Sequence, residues 1–222
     1  MKAHAAAAAE SIGTALLLAV VVGSGIMGER LAAGNTAIAL LANSLATGAG
    51  LYALIVTLEP ISGAQFNPVI SLVASWHRAP PLRRLGIYIG AQLLGALAGV
   101  MAAHAMFGLP LVQISTHERA TLGEGLGEMI ATFGLVLTVL LTSRFRKDAT
   151  PLAVAAFITS AYWFTSSTSF ANPAVTLARS ITDTFAGISP ASVPMFLGAQ
   201  LVGAALAATF VRWLLACERQ TR

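Results

Sequence analysis

The sequence repeats itself, and each copy carries an odd number of long apolar segments. Glu10-Ser-Ile-Gly-Thr-Ala-Leu-Leu-Leu returns as Glu128-Met-Ile-Ala-Thr-Phe-Gly-Leu-Val, and Gly90-Ala-Gln-Leu-Leu-Gly-Ala returns as Gly198-Ala-Gln-Leu-Val-Gly-Ala. Between these markers, in the same order, lie two short loops, Gly63-Ala64-Gln65-Phe66-Asn67-Pro68-Val69 and Ser169-Phe170-Ala171-Asn172-Pro173-Ala174. Apolar runs long enough to span a membrane cover residues 8–27, 36–58, 85–107, 125–141, 152–168 and 193–215, three per copy. Three crossings leave the chain on the far side, so the second copy must sit upside down relative to the first. The result is an inverted repeat about a pseudo-two-fold axis in the membrane plane. We therefore expect one unit over 1–222, with a first repeat at 8–112 and a second, inverted repeat at 123–216.

Each loop is followed by a further apolar stretch, 68–76 and 173–181. At about 1.5 Å per residue, ten residues reach about 15 Å, half of a hydrocarbon core about 30 Å thick. They cannot cross, but a short helix at membrane depth is tolerated where it re-enters and is buried in protein. An isolated Asn-Pro pair is an ordinary helix start, since Asn caps well and Pro at the first helical position sacrifices no needed hydrogen bond. Two copies at matching places read instead as opposed re-entrant half-helices. The expected fold class is an all-α membrane protein with six transmembrane helices, two half-helices and an inverted 3+3 repeat.

Composition agrees: 56% of the 222 residues are hydrophobic, 10% are charged and the mean hydropathy is +0.77, where soluble domains carry about a quarter charged residues. The net charge of +4 is small and its basic residues gather at segment ends, so nucleic-acid binding is unsupported. Cys217 is the single cysteine, which excludes an intrachain disulfide and a cysteine metal set. His77, His104 and His117 show no ligand spacing, and no metal or cofactor is implied. Met1-Lys2 and the apolar run after it mimic a signal peptide, but that run recurs in the second copy and is expected to be kept. Lys2, Arg78, Arg83, Arg84, Arg144, Arg146, Lys147, Arg212, Arg219 and Arg222 fall on one side of the six-span scheme, against Arg30, Arg119 and Arg179 on the other. The positive-inside rule then places both termini in the cytoplasm of a bacterial-type inner membrane.

Half-helices entering from opposite faces aim their positive ends at mid-membrane, where Asn67 and Asn172 add amide donors. Such a collar opposes cations and interrupts a proton-conducting water wire, while neutral solutes with hydroxyl oxygens pass. The partners implied are water, small neutral solutes and the lipid bilayer. No nucleophile–base or metal set suggests an enzyme. Glu10 and Glu128 are intramembrane acids, functional by default; one per repeat favours a structural role, accepting hydrogen bonds from each re-entrant loop. An ion- or proton-coupled secondary transporter built on an inverted repeat is the alternative. Glu59, just before Pro60, is expected at the cytoplasmic mouth. Gly48, Gly50, Gly86, Gly90, Gly95, Gly99, Gly198 and Gly203 read as helix-packing positions.

The six spans, the inverted repeat, the paired acids and the two loops resemble the aquaporin, or major intrinsic protein, family over about residues 8–215. The resemblance implies a right-handed bundle forming a homotetramer with one pore per protomer. Asn67, Pro68 and Val69 match the first pore motif, with Val69 in place of Ala and Gln65 where His is common. Asn172, Pro173 and Ala174 match the second intact. Water- and glycerol-conducting members usually place Arg third after the second Asn, where this chain has Val175. Matching by distance from the Asn residues makes Thr47, Ser160, Ser169 and Val175 the selectivity filter, wide, uncharged and mildly polar. The run Ala161-Tyr-Trp-Phe-Thr-Ser-Ser-Thr-Ser-Phe-Ala-Asn-Pro-Ala-Val175 resembles a bacterial branch associated with arsenic resistance. That likeness implies passage of arsenite and methylated arsenicals beside water and glycerol. Arg179, four residues after Val175, reads first as a side chain snorkelling to the outer interface, and second as a displaced charge in the outer vestibule.

Overall fold

The computed structural model describes the backbone of residues 3–78 and 82–220 and the side chains of 3–76 and 84–218. Its helices are α1 (Ala3–Leu31), α2 (Thr36–Ser62), α3 (Pro68–Arg78), α4 (Leu82–Met106), α5 (Leu122–Phe145), α6 (Thr150–Phe164), α7 (Pro173–Ala178) and α8 (Val193–Gln220). Helix starts and stops follow local chemistry. The Asn35 carboxamide caps α2 by accepting from the Ala37 and Ile38 N–H groups, and Thr121 with Glu124 forms a reciprocal capping box on α5. Gly63, at φ 94°, ends α2 in the left-handed conformation that the turn requires.

Helices α1, α2, α4, α5 and α8 are long and apolar enough to cross a membrane. The sixth long segment, α6, has 15 residues and stops at Phe164, short of the expected 168. Thr165 turns extended there and the chain begins its second loop. The second half-helix is also shorter than expected. After Ala178 the chain tightens into a 3-10 turn over Arg179–Ile181, because the carbonyls of Arg179, Ser180 and Ile181 accept from Ile188, Ser115 and Gln113. Residues 109–121 thus lie against the exit of α7, and Asp183 accepts from both the N–H and the hydroxyl of Thr116. The Thr116 N–H, then its hydroxyl, hold the Asp183 carboxyl below its ordinary range.

Packing repeats across the two halves. Helix α1 packs on α2 and α4 as α5 packs on α6 and α8, and α2 meets α6 between the halves. The half-helices α3 and α7 touch each other and each contacts both α4 and α8. Small residues set the closest approaches: a Cβ on Gly95 or Gly99 would overlap the carbonyls of Ser11 or Ala15, and one on Gly203 that of Met129. Gly48 lies against Thr159, Gly50 against Val20, and Gly13 makes room for the Phe66 ring. Gly86, Gly90 and Gly198, expected to pack, instead have open space at their Cβ positions and lie on the outside of the bundle. Helical spacing alone does not say which face a glycine occupies.

Charged residues mark the two ends. At the end bearing the termini, Arg84 lies over Tyr88, Arg212 over Trp76, and Lys147 pairs with Glu59 at 3.1 Å. At the other end Arg30 lies over Phe107 and Arg119 over Phe170. Lys2, His77, Arg78, Arg83, Arg219 and Arg222 lie outside the residues whose side chains are described.

Filling the α1–α4 contact tests this packing. Gly99→Val forces a branched side chain against the Ala15 carbonyl and should cost about 1–3 kcal/mol. Gly86→Ala should leave stability unchanged. Thermal unfolding in detergent checks both, and equal midpoints would contradict the close approach.

Candidate functional site

The two loops are built alike, residue for residue. Ala64 and Phe66 take left-handed φ values of 46° and 49°, and Ser169 and Ala171, their counterparts, take 51° and 46°. Such backbone costs on the order of 1–3 kcal/mol per residue and breaks the helical hydrogen-bond ladder. One carboxylate per loop takes up the freed donors. Glu10 accepts from the N–H groups of Gln65 and Phe66 at 3.0 and 2.7 Å, and Glu128 from those of Phe170 and Ala171 at 2.7 and 2.8 Å. Both carboxylates are fully buried. A glutamine completes each cluster: Gln92 donates to Glu10 and Ser71, and Gln200 to Glu128 and Thr176.

Each Asn performs two tasks. The Oδ1 of Asn67 accepts from the Val69 N–H, and that of Asn172 from Ala174 and Val175, capping α3 and α7. The Nδ2 of Asn67 donates to the Ala171 carbonyl, and that of Asn172 to the Phe66 carbonyl, both at 2.8 Å. These reciprocal bonds join the loops at the centre of the molecule. Each amide nitrogen carries two hydrogens, so one donor per Asn remains beyond the strap, and both residues line the central cavity.

That cavity, about 980 Å³, runs from Glu59, Arg84 and Lys147 at the end bearing the termini, past both Asn residues, to Arg179. Thr47, Ser169 and Val175 line it. Thr47 Oγ1 lies 3.3 Å from Tyr162 Oη, while the buried Ser169 hydroxyl has no protein partner among the described residues. Ser160 is the exception. It is exposed on the outer face of α6, donates to the Phe157 carbonyl and does not line the cavity; Ile158 and Tyr162, one turn apart, do. Counting back from Asn172 crosses an irregular loop, so the helical phase of α6 is lost. Val69 also lies away from the cavity, fully buried against Val73, Val136 and the alanines 204, 207 and 208 of α8, so the change from Ala is absorbed in packing. Ala174 is buried behind its Asn.

Arg179 does not snorkel to the interface. It is 2% exposed, its Nε donates to the Ala186 carbonyl, and its guanidinium sits 3.4 Å from the Phe170 ring centroid. A second cavity, about 400 Å³ and lined by Asn43, Arg119, Trp163 and Thr168, begins there, and Arg179 lines both. The segment after α7 folds back under residues 109–121, which buries a position that helix length alone would carry to the surface.

Several residues at this site went unread in the sequence. Gln92 and Gln200 were visible as the repeated Gly-Ala-Gln, and a polar residue recurring mid-span was the signal for a role. Phe170 stood between two motif residues with nothing to mark it as a mount for Arg179 and Arg119. His104, buried and bonded to the Leu111 carbonyl and Thr182, holds the loop rather than a ligand.

Comparison with known proteins gives one consistent result. The family described as Major intrinsic protein (MIP) matches residues 1–166. Aquaglyceroporin AqpS of Rhizobium meliloti (strain 1021) is 51% identical over 207 residues, 93% of this chain and 88% of that one. Human aquaporin-1 is 33% identical over 163 residues, 67% of this chain and 60% of that one. Among solved structures, the aquaglyceroporin from Plasmodium falciparum superposes with a TM-score of 0.75 over 94% of this chain and 95% of that one, at 20% identity. The last shows the fold alone.

Removing a carboxylate tests the loop frame. Glu128→Ala orphans the Phe170 and Ala171 N–H groups and one Gln200 donor, at about 1–3 kcal/mol for each buried donor left unpaired. The variant should melt well below the parent in detergent and lose solute flux. A variant with parental stability would mean that the loop holds itself.

Proposed function

Because the chain belongs to the major intrinsic protein family of membrane channels, we propose that it is a passive pore for water and small neutral polyhydroxyl solutes. Glycerol-type polyols, arsenite and methylated arsenicals are the solutes we propose. The observation that carries this reading is Val175. It lines the cavity next to Asn172, where water- and glycerol-conducting members usually carry Arg, and the unpartnered Ser169 hydroxyl lies in the same wall. An aliphatic side chain there leaves room for a solute wider than water. Ser169, Thr47 and the spare hydrogens of Asn67 and Asn172 give its hydroxyl groups partners along the way.

Arsenous acid is neutral at pH 7 and presents three hydroxyls much as glycerol does, so one path suits both. The identity to a protein named as an aquaglyceroporin supports the polyol part of the proposal. The likeness of 161–175 to the arsenic-resistance branch supports the metalloid part. We further propose a homotetramer in a bacterial inner membrane, with both termini cytoplasmic and the repeats 8–112 and 123–216 inverted. The outward Leu94, Leu201 and Leu206 suit lipid or neighbouring copies. In this frame Glu10 and Glu128 support the loops and do not couple protons, since each is saturated by loop and glutamine donors.

Stopped-flow shrinkage of proteoliposomes against water, glycerol, arsenite and a monomethylated arsenical tests the function. Linear, gradient-driven flux is expected. Saturation at low solute, or a requirement for an ion gradient, would identify a transporter instead. Within the same assay, Val175→Arg should cut glycerol and arsenite flux at least several-fold more than water flux. Equal flux of all three through parent and variant would show that Val175 does not set the width.

A further inference from the structure

We propose that Arg179 is the charge-selecting residue of this channel, set one helical turn outward of Val175 and mounted on Phe170. The pore is then wide at 175 and closed to cations at 179. The proposal rests on the passive neutral-solute reading above and adds to it the residue that rejects charge.

Position is the first reason. Arg179 is the residue common to the linings of the central cavity and of the smaller cavity beyond it. Anything moving between the two passes its side chain. Its backbone N–H bonds to the Val175 carbonyl, so the two residues stand one turn apart on the same helical face.

Charge is the second. Neither described ion pair, Lys147–Glu59 or His117–Asp183, includes Arg179. Its Nε is committed to the Ala186 carbonyl. The four hydrogens on its terminal nitrogens have no protein acceptor among the described residues, although the residue is 2% exposed. A guanidinium with no acid paired to it, in low-dielectric surroundings, repels cations. Its free donors still suit the oxygens of a neutral hydroxyl solute.

Rigidity is the third. The Phe170 ring under Arg179 is held edge-on by Phe196 at 5.0 Å, and the Phe170 N–H is held by Glu128. Arg119 lies 5.3 Å from the same ring, with its Nε on the Gly187 carbonyl and Nη1 on the Ser167 carbonyl. The second guanidinium backs the first, so two cationic side chains share the Phe170 ring. Helix α7 has only six residues, so its own dipole is a weak barrier compared with a full side-chain charge.

The test uses proteoliposomes of the full chain, with proton and sodium leak read at an imposed potential beside glycerol shrinkage. Arg179→Gln should raise both leaks at least tenfold while glycerol flux stays within about threefold of the parent. Arg179→Met, which keeps an unbranched chain against Phe170, should leak likewise and serves if the Gln variant does not assemble. Adding Val175→Arg to Arg179→Gln should restore the seal and cut glycerol flux. Leaks equal to the parent in both single variants, with glycerol flux retained, would overturn the assignment. A parent that passes no glycerol would count against the neutral-solute function, while the leak ratio still reports on Arg179.

Discussion

Irregular backbone at membrane depth has no water to satisfy it, and every freed N–H must find a partner inside the protein. The whole site depends on how that demand is met. Each loop takes three left-handed residues to turn from one helix into the next, Gly63, Ala64 and Phe66 in the first and Thr168, Ser169 and Ala171 in the second, and each turn frees two adjacent N–H groups. A single carboxylate from the first helix of the same repeat accepts both. With those donors satisfied, the Asn side chains are released from local repair. They cap the half-helices and reach across to the opposite loop. The junction of the two loops at the centre is therefore a consequence of hydrogen-bond saturation in two buried clusters.

Saturation also decides between mechanisms. A carboxylate that relays protons must exchange partners as it titrates, and it needs access to the path. Glu10 and Glu128 are fully buried, hold two loop N–H groups and a glutamine each, and do not line the cavity. Protonating either would break the loop that it supports. A channel needs those loops fixed, whereas a coupled transporter would need them to move.

On this symmetric frame the two ends diverge, and the sequence discloses the frame better than the divergence. Spans, half-helices and paired acids are legible because each obeys a rule of length, periodicity or capping that acts over a few residues. Ser160 lies off the cavity because the count from Asn172 runs through the irregular backbone of 165–172, where no period applies. Helix length carries Arg179 toward the interface only while the helix continues, and here Ile188, Ser115 and Gln113 donate to the carbonyls of Arg179, Ser180 and Ile181. Gly86, Gly90 and Gly198 share the spacing of Gly95, Gly99 and Gly203 but not their face. In each case the missing information is a contact between segments distant in sequence.

Val175 and Arg179 together suggest why a pore would drop the Arg next to its Asn. An Arg at that position must satisfy two demands with one side chain, since the group that repels cations also narrows the opening. Shifting the charge by four residues moves its attachment about 6 Å along the path and separates the demands. Width at Val175 is then set by aliphatic volume and the Ser169 hydroxyl. Charge one turn out is set by a guanidinium whose position is fixed by Phe170, Phe196 and Ala186. The electrostatic barrier falls off as the inverse of distance, so a cation entering past Arg179 meets it before reaching Val175. A bulky neutral solute meets only donors. The cost is a further structure beyond α7, and residues 109–121 with 179–189 are that structure.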